Sequence, residues 1–239
     1  MSVSCSYTGG LGNNLFQYVV ARLFAEKNDL IFDVPFCHGD PGTIAPRPGR
    51  AFCEPVIRVG EHNIEEVFDS PAIDAYYDFS GFFQQAARYY AHRDLIKSYF
   101  LLPAQETNTR DIVVHVRHDD YGRAHRIHWS WYREILKQEH FEKLYIVAQN
   151  THLDSFREYV EHFVEWSPVV VSQSAVEDLR FISSFDRILT ANSTFSWWAT
   201  FFGRPSKVYT FKRWLPIAEV SLHAFSGATV VDGPFLETV

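Results

Sequence analysis

Four stretches of the chain carry residue types suited to chemistry on a charged ligand. The first is His115-Val116-Arg117-His118-Asp119-Asp120-Tyr121. An arginine can grip a diphosphate through two parallel N–H bonds. The histidine beside it can hydrogen-bond a base or a phosphate. A following carboxylate, Asp120, can take a proton from a hydroxyl, or equally can orient Arg117 or cap the next turn. The second stretch, Thr190–Trp198 (TANSTFSWW), sets the hydroxyls of Ser193, Thr194 and Ser196 at a predicted helix start, where the first backbone N–H groups lack helical partners. The third, Gly9-Gly10-Leu11-Gly12-Asn13-Asn14, lets backbone N–H groups approach an anion. It lacks the third glycine of a dinucleotide fingerprint and the Lys-Ser/Thr of a P-loop, so by itself it is equally a tight turn. The fourth is Asp178, in Val176-Glu177-Asp178-Leu179. Its carboxylate can accept from the N1–H and 2-amino edge of guanine, although the simpler reading is favourable placement near a helix N-terminus. His125 and His128 follow the first stretch, but their spacing fits no common metal site, and no metal is expected.

These residues need elements to hold them. Val3–Tyr7 reads as a strand, and Leu15, Phe16, Val19, Val20, Leu23 and Phe24 recur at helical spacing. Asn14 and Gln17 have capping-box spacing, which predicts a helix starting there. Residues 33–63, with Pro35, Pro41, Pro46, Pro48 and Pro55, read as irregular. Residues 80–100 read as helical, with Phe82, Phe83, Ala86, Ala87 and Tyr90 on one side.

The second half alternates more regularly. Strands are predicted at Ile112–Val116, Leu144–Ala148, Val169–Val171, Arg187–Thr190 and Lys207–Phe211. Helices are predicted at Trp129–Gln138, 151–164, Ala175–Ser184 and Thr194–Phe202. This order implies an α/β fold with a Rossmann-like parallel sheet in the C-terminal half and a smaller, irregular N-terminal half. Ligands of such sheets bind beyond the strands' carboxyl ends, here after Val116, Ala148, Val171 and Thr190. Trp197 and Trp198 read as core residues.

Composition narrows the function. The net charge of −7 shows no basic excess and argues against nucleic acid as a partner. Aromatic residues make up 16% of the chain, which suits an aromatic-lined cleft for sugars and bases. Cys5, Cys37 and Cys53 match no metal pattern, and their odd number suits a reducing compartment. No signal peptide and no membrane span is read, so a cytoplasmic, at most membrane-peripheral, protein is expected.

In this order the motifs resemble those of the α-1,2-fucosyltransferases and their wider relatives, the protein O-fucosyltransferases and α-1,6-fucosyltransferases. Gly9–Gln17 (GGLGNNLFQ) is similar to the family's GGLGNQ-type motif, His115–Tyr121 to HxRRxDY, and Asn192–Trp198 to NSSFSWW. Gly81–Gln84 (GFFQ) resembles a segment often read GYFQ. The resemblance spans about residues 5 to 211.

It implies an inverting GT-B-like glycosyltransferase that takes GDP-fucose as donor and a glycan as acceptor, with no cofactor or metal. Fucose would pass to a galactose-type hydroxyl in α-1,2 linkage. Arg117 would clamp the diphosphate, and His115 and Asp178 would contact guanosine. Asn192, Ser193, Thr194 and Phe195 would hold phosphate or nucleotide. Gly10, Gly12 and Asn13 would lie near the pyrophosphate and the reacting sugar. Residues 106–239 would form the donor-binding region, and 1–105 the acceptor-side region. Asp120 is the candidate base.

The chain departs from the pattern at three places. His118 stands where the family has a second arginine, followed by Asp119 where glycine is common. Ala148-Gln149-Asn150 replaces a Ser-Asp-Asp, and residues 35–55 are proline-rich, where acceptor choice is expected to lie. The alternatives are a different sugar or acceptor on the same fold, or a GDP-binding module without transferase activity.

Overall fold

The computed structural model describes residues 1–32, 55–100, 105–118 and 127–210. The chain divides into two units, Met1–Leu102 and Pro103–Val239.

The N-terminal unit is built on a parallel sheet of β1 (Ser2–Cys5), β2 (Ile31–Phe32), β3 (Val56–Val59) and β4 (Tyr76–Phe79), ordered β2-β1-β4-β3. Helix α1 (Leu11–Lys27) connects β1 to β2, and α2 (Ile64–Asp69) connects β3 to β4. Two short helices follow, α3 (Ala86–Tyr90) and α4 (Arg93–Ser98). Fourteen of the seventeen residues of α1 are buried, so its polar side chains must find partners inside the unit. Arg22 does so by donating to the Tyr18 hydroxyl at 2.6 Å and to Glu26 at 3.0 Å, with its guanidinium over the Tyr99 ring. Phe24 packs against Phe68, Tyr77 and Phe79.

Three expectations change here. Helix α1 begins at Leu11, three residues before the expected start, because Asn14 and Gln17 turn inward and do not form a capping box. Part of the stretch expected to be irregular forms β3, and residues 33–54 lie outside the described residues. Phe82 and Phe83 precede α3, and Phe83 has φ +53°, which breaks the expected helical run.

The C-terminal unit carries β5 (Ile112–His115), β6 (Leu144–Val147), β7 (Val169–Val171), β8 (Arg187–Leu189) and β9 (Lys207–Tyr209), all parallel and ordered β7-β6-β5-β8-β9. The connecting helices are α5 (Trp129–Leu136), α6 (Asp154–Glu161), α7 (Ala175–Ser183) and α8 (Thr194–Phe202). Each element falls within a few residues of its prediction, because a β-branched central strand and amphipathic helices leave little ambiguity. Every residue of β5 is buried. Ile112 and Val114 meet Trp131, Tyr132, Ile135 and Leu136 of α5 and Phe156 and Tyr159 of α6 in one core. Trp197 and Trp198 are buried as expected, stacked on Phe201 and Phe202 respectively.

Connections from β5 run toward β6, and those from β8 run toward β9. The strand order therefore reverses between β5 and β8, which leaves a crevice at their carboxyl ends.

Candidate functional site

His115 closes β5 at this crevice and is 7% exposed. Its Nδ1 lies 2.5 Å from the Ser196 hydroxyl, whose oxygen accepts from Ala191 N–H at 3.1 Å. The Phe195 ring sits 5.2 Å from the imidazole. Beneath them, the Tyr132 hydroxyl reaches the carbonyl oxygens of both His115 and Thr190, at 3.2 and 3.1 Å. One phenol from α5 thus ties together the two strand ends that frame the crevice. Burial pushes that phenol far above its ordinary range, so it stays a neutral donor.

Across the crevice, β8 leads through Thr190 and Ala191 into α8. Ser193 N–H donates back to Ala191 O at 2.8 Å, which makes a tight turn centred on Asn192. Ser193 caps the helix, its hydroxyl accepting from Phe195 N–H at 3.3 Å. The first turn of α8 contains no acidic residue, whereas that of α7 holds Glu177 and Asp178 and that of α6 holds Asp154. No acidic side chain of its own first turn offsets the positive end of α8, a setting that favours an anion. Asn192 is 2% exposed, yet neither its Oδ1 nor its Nδ2 has a hydrogen-bond partner among the described residues. A buried amide left so costs about 1–3 kcal/mol per group, which a ligand or water offering one donor and one acceptor would recover.

Arg117 and His118 follow β5 and are half-buried. The His118 ring packs edge-on against Tyr159 and Phe156 of α6, at 5.3 and 6.2 Å. Asp119, Asp120, Tyr121 and His125 lie outside the described residues. His128 is the N-cap of α5, accepting from Ser130 N–H at Nδ1. No group of three or more His, Cys, Asp or Glu side chains positioned for a metal occurs among the described residues.

Asp178 stands at the start of α7, beyond the carboxyl end of β7. The capping role there belongs to its neighbour, since Glu177 and Ser174 form a reciprocal capping box. Asp178 is 2% exposed and accepts from Gln173 N–H at 3.1 Å. Burial raises its carboxyl from the ordinary 3.8 to about 6, and the Gln173 hydrogen bonds pull only partly against that. Asp178 thus sits in the first turn of α7, as the helix-end reading expects, and burial adds a cost to its ionised form.

In the N-terminal unit the Gly-rich turn joins β1 to α1, with Gly9 at φ +80°. Asn14 Nδ2 donates to the carbonyl oxygens of Thr8, Gly9 and Gly10 at 3.2, 3.0 and 2.8 Å. Gln17 accepts from Thr8 N–H and donates to Thr8 Oγ1 and Gly81 O. The turn is thereby fastened to the segment after β4, where Gln84 bonds Asn13 and the Glu61 carboxylate accepts from Phe82 and Phe83 N–H. Gly10 itself is exposed at the start of α1, which has no side-chain cap.

No family model and no curated protein sequence matches this chain. Solved structures do. A mutant of Arabidopsis thaliana FUT1 in complex with GDP is similar with a TM-score of 0.53 at 11% identity, over 90% of this chain and 72% of that one. The E. coli heptosyltransferase WaaC with ADP is similar with a TM-score of 0.54 at 12% identity, over 98% of this chain and 94% of that one.

The fold is that of GT-B-like glycosyltransferases.

On this GT-B-like fold the sequence-predicted residues fall into separate groups. His115, Asn192, Ser193, Thr194 and Phe195 gather at the β5/β8 crevice, and Arg117 follows His115 by two residues. Asp178 lies at the same edge of the sheet, after β7. Gly10, Gly12 and Asn13 belong to the N-terminal unit's own strand-end cluster. Tyr132 and the His115–Ser196 pairing were missed. No local motif marks a tyrosine whose two acceptors lie 17 and 58 residues away. Gln17 and Gln84 were each noted as part of a motif, but their shared hold on the glycine turn was not foreseen. Among the described residues no helix is long and apolar enough to cross a membrane.

Proposed function

We propose that the chain is an inverting glycosyltransferase that takes a GDP-sugar donor, with fucose as the sugar and a galactose-type hydroxyl, in α-1,2 linkage, as the acceptor group. The observation that carries this reading is the buried amide of Asn192, without a hydrogen-bond partner among the described residues, just before the start of α8 at the β5/β8 crevice. Such a place suits a phosphorylated, hydrogen-bonding ligand.

In the reaction the acceptor oxygen bonds to the anomeric carbon as the bond from that carbon to the β-phosphate oxygen breaks. GDP leaves with the electron pair. Arg117 and the N–H groups opening α8 stabilise the charge that develops on the diphosphate, so no metal or cofactor is needed for that task. Asp120 takes the hydroxyl proton. Gly10, Gly12 and Asn13 serve the reacting-sugar and acceptor side.

A second donor is favoured by one finding, the similarity to a heptosyltransferase structure with ADP. Asp178 weighs against adenine here. Guanine offers two donors to a carboxylate, at N1–H and the 2-amino group, whereas adenine presents an acceptor at N1 and has no 2-amino group.

A thermal-shift panel of GDP, GDP-fucose, GDP-mannose, ADP, UDP and NAD tests the reading. GDP and GDP-fucose are expected to stabilise most, by about 2.7 kcal/mol at a hundredfold excess over Kd. Stabilisation by UDP or NAD without GDP would overturn it. A preference for ADP would move the chain to the second reading. GDP-fucose binding without hydrolysis or transfer to any galactoside would leave a binding module.

A further inference from the structure

We propose that Ser196 locks His115 as the neutral tautomer carrying its proton on Nε2, which makes His115 a fixed hydrogen-bond donor and not a base. Ring orientation comes first. The Ser196 hydroxyl lies 2.5 Å from Nδ1. A flipped ring would put a carbon there, far inside the 3.3–3.6 Å of a C–H···O contact, so Nδ1 is the atom that faces Ser196.

Proton direction follows from counting partners. Ser196 is 0% exposed. Its oxygen accepts from Ala191 N–H at 3.1 Å, and the one remaining partner among the described residues is His115 Nδ1. A hydroxyl has a single proton to give. If Nδ1 carried hydrogen, the Ser196 proton would be buried with no acceptor, a state disfavoured roughly tenfold or more. An imidazolium would meet the same mismatch and add a charge at a residue 7% exposed. The Ser196 proton therefore points at Nδ1, and Nε2 bears the ring hydrogen.

Two further contacts hold the arrangement. Tyr132 fixes the His115 carbonyl, and Phe195 lies 5.2 Å from the ring. Ser196 is thus a positioning residue that acts through His115. The last step rests on the donor-site reading above: His115 meets the nucleotide at an acceptor atom, such as a carbonyl oxygen, a ring nitrogen or a phosphate oxygen.

Two-bond 1H–15N correlation spectra of the 15N-labelled full chain test the proposal without any ligand. The His115 pattern, among eleven histidines, is identified by its loss in His115→Gln. The expected wild-type result is the Nε2–H pattern, with Ser196→Ala giving a mixture of tautomers. An Nδ1–H, averaged or imidazolium pattern in the wild type overturns the proposal, and that outcome does not depend on the variant folding. GDP is then titrated. Retention of the pattern with a shifted Nε2 resonance, and about tenfold weaker GDP binding in folded Ser196→Ala, supports the last step. Equal GDP affinity in that variant, despite mixed tautomers, overturns the last step alone. Failure of the wild type to bind GDP refutes the donor reading and leaves the tautomer result standing.

Discussion

Gln84 donates its side-chain amide to Oδ1 of Asn13 at 3.1 Å, joining residues 71 positions apart in the chain. The bond ties the GFFQ segment after β4 to the glycine turn after β1. A neutral hydrogen bond of this kind contributes about 0.5–1.5 kcal/mol. A double-mutant cycle of Asn13→Ala and Gln84→Ala, read by urea unfolding, is expected to give a coupling energy in that range. Additive effects would mean that the two motifs are joined by other contacts, such as that of Gln17 with Gly81.

The two exposed glycines of the turn are predicted to behave differently. Gly9 has φ +80°, and a Cβ there would come within 2.4 Å of Asn13 Nδ2. Gly9→Ala must pay for left-handed backbone and also displace Asn13, a loss of about 1–2 kcal/mol or more. Gly10 has φ −82°, and an added Cβ meets nothing within 4 Å. Gly10→Ala should leave the melting temperature within a degree or two and still slow transfer severalfold, if the bare backbone serves a ligand. Unchanged kinetics in Gly10→Ala would remove that role.

How much of this was legible depended on whether the signal was local. The strands and helices after Ile112 were readable because β5, β6 and β8 are short apolar runs separated by amphipathic helices. In the N-terminal sheet only β1 was read, as Val3–Tyr7: β2 has two residues, and in β3 two of the four residues, Val56 and Arg58, are exposed. Asn14 and Gln17 show why motif spacing misleads. Their separation fits a capping box, but both side chains point into a buried helix start and serve the carbonyls and N–H of the turn before it. The runs HVRHDDY and NSTFSWW pointed to the strand-end positions now seen for His115 and Arg117 after β5 and for Asn192–Phe195 around the start of α8, while Asp119, Asp120 and Tyr121 lie outside the described residues. The links between them, His115 to Ser196 across 81 residues and Tyr132 to both strand ends, are tertiary contacts with no local trace.

Asp178 gives a pH-dependent prediction. Its carboxyl is raised to about 6 in the folded chain from 3.8. Between those values the native state keeps a proton that the unfolded state has lost. Stability is therefore lost as pH rises through this window, by about 3 kcal/mol in all at roughly 1.4 kcal/mol per tenfold in proton affinity. Asp178→Asn should flatten the stability profile between pH ~4 and ~6 and be the more stable protein at pH 7. The ionised carboxylate is also what guanine's paired donors would satisfy. Wild type should prefer GDP to inosine diphosphate, which lacks the 2-amino group, by roughly tenfold or more, and Asp178→Asn should not. A variant with unchanged base preference would return Asp178 to a purely structural role.

Arg117 offers the sharpest test of the donor reading. It follows the buried end of β5 by two residues and is half-buried, so its removal should leave the core of the C-terminal unit intact. The second arginine that the motif resemblance leads one to expect is His118, whose ring is packed against Tyr159 and Phe156. On the proposed donor reading, Arg117 and the start of α8 are the groups expected to meet the diphosphate charge. Arg117→Ala should cut sugar release from GDP-fucose by about 10²–10³, the usual loss when one donor to a developing charge is removed. Arg117→Lys should recover little, because an ammonium cannot reproduce the planar fork. Calorimetric comparison of GDP with GMP isolates the contact: wild type should favour the diphosphate strongly, and Arg117→Ala should bind the two within a few-fold of each other. A variant that still discriminates GDP from GMP would assign the diphosphate to other groups and take Arg117 out of the mechanism.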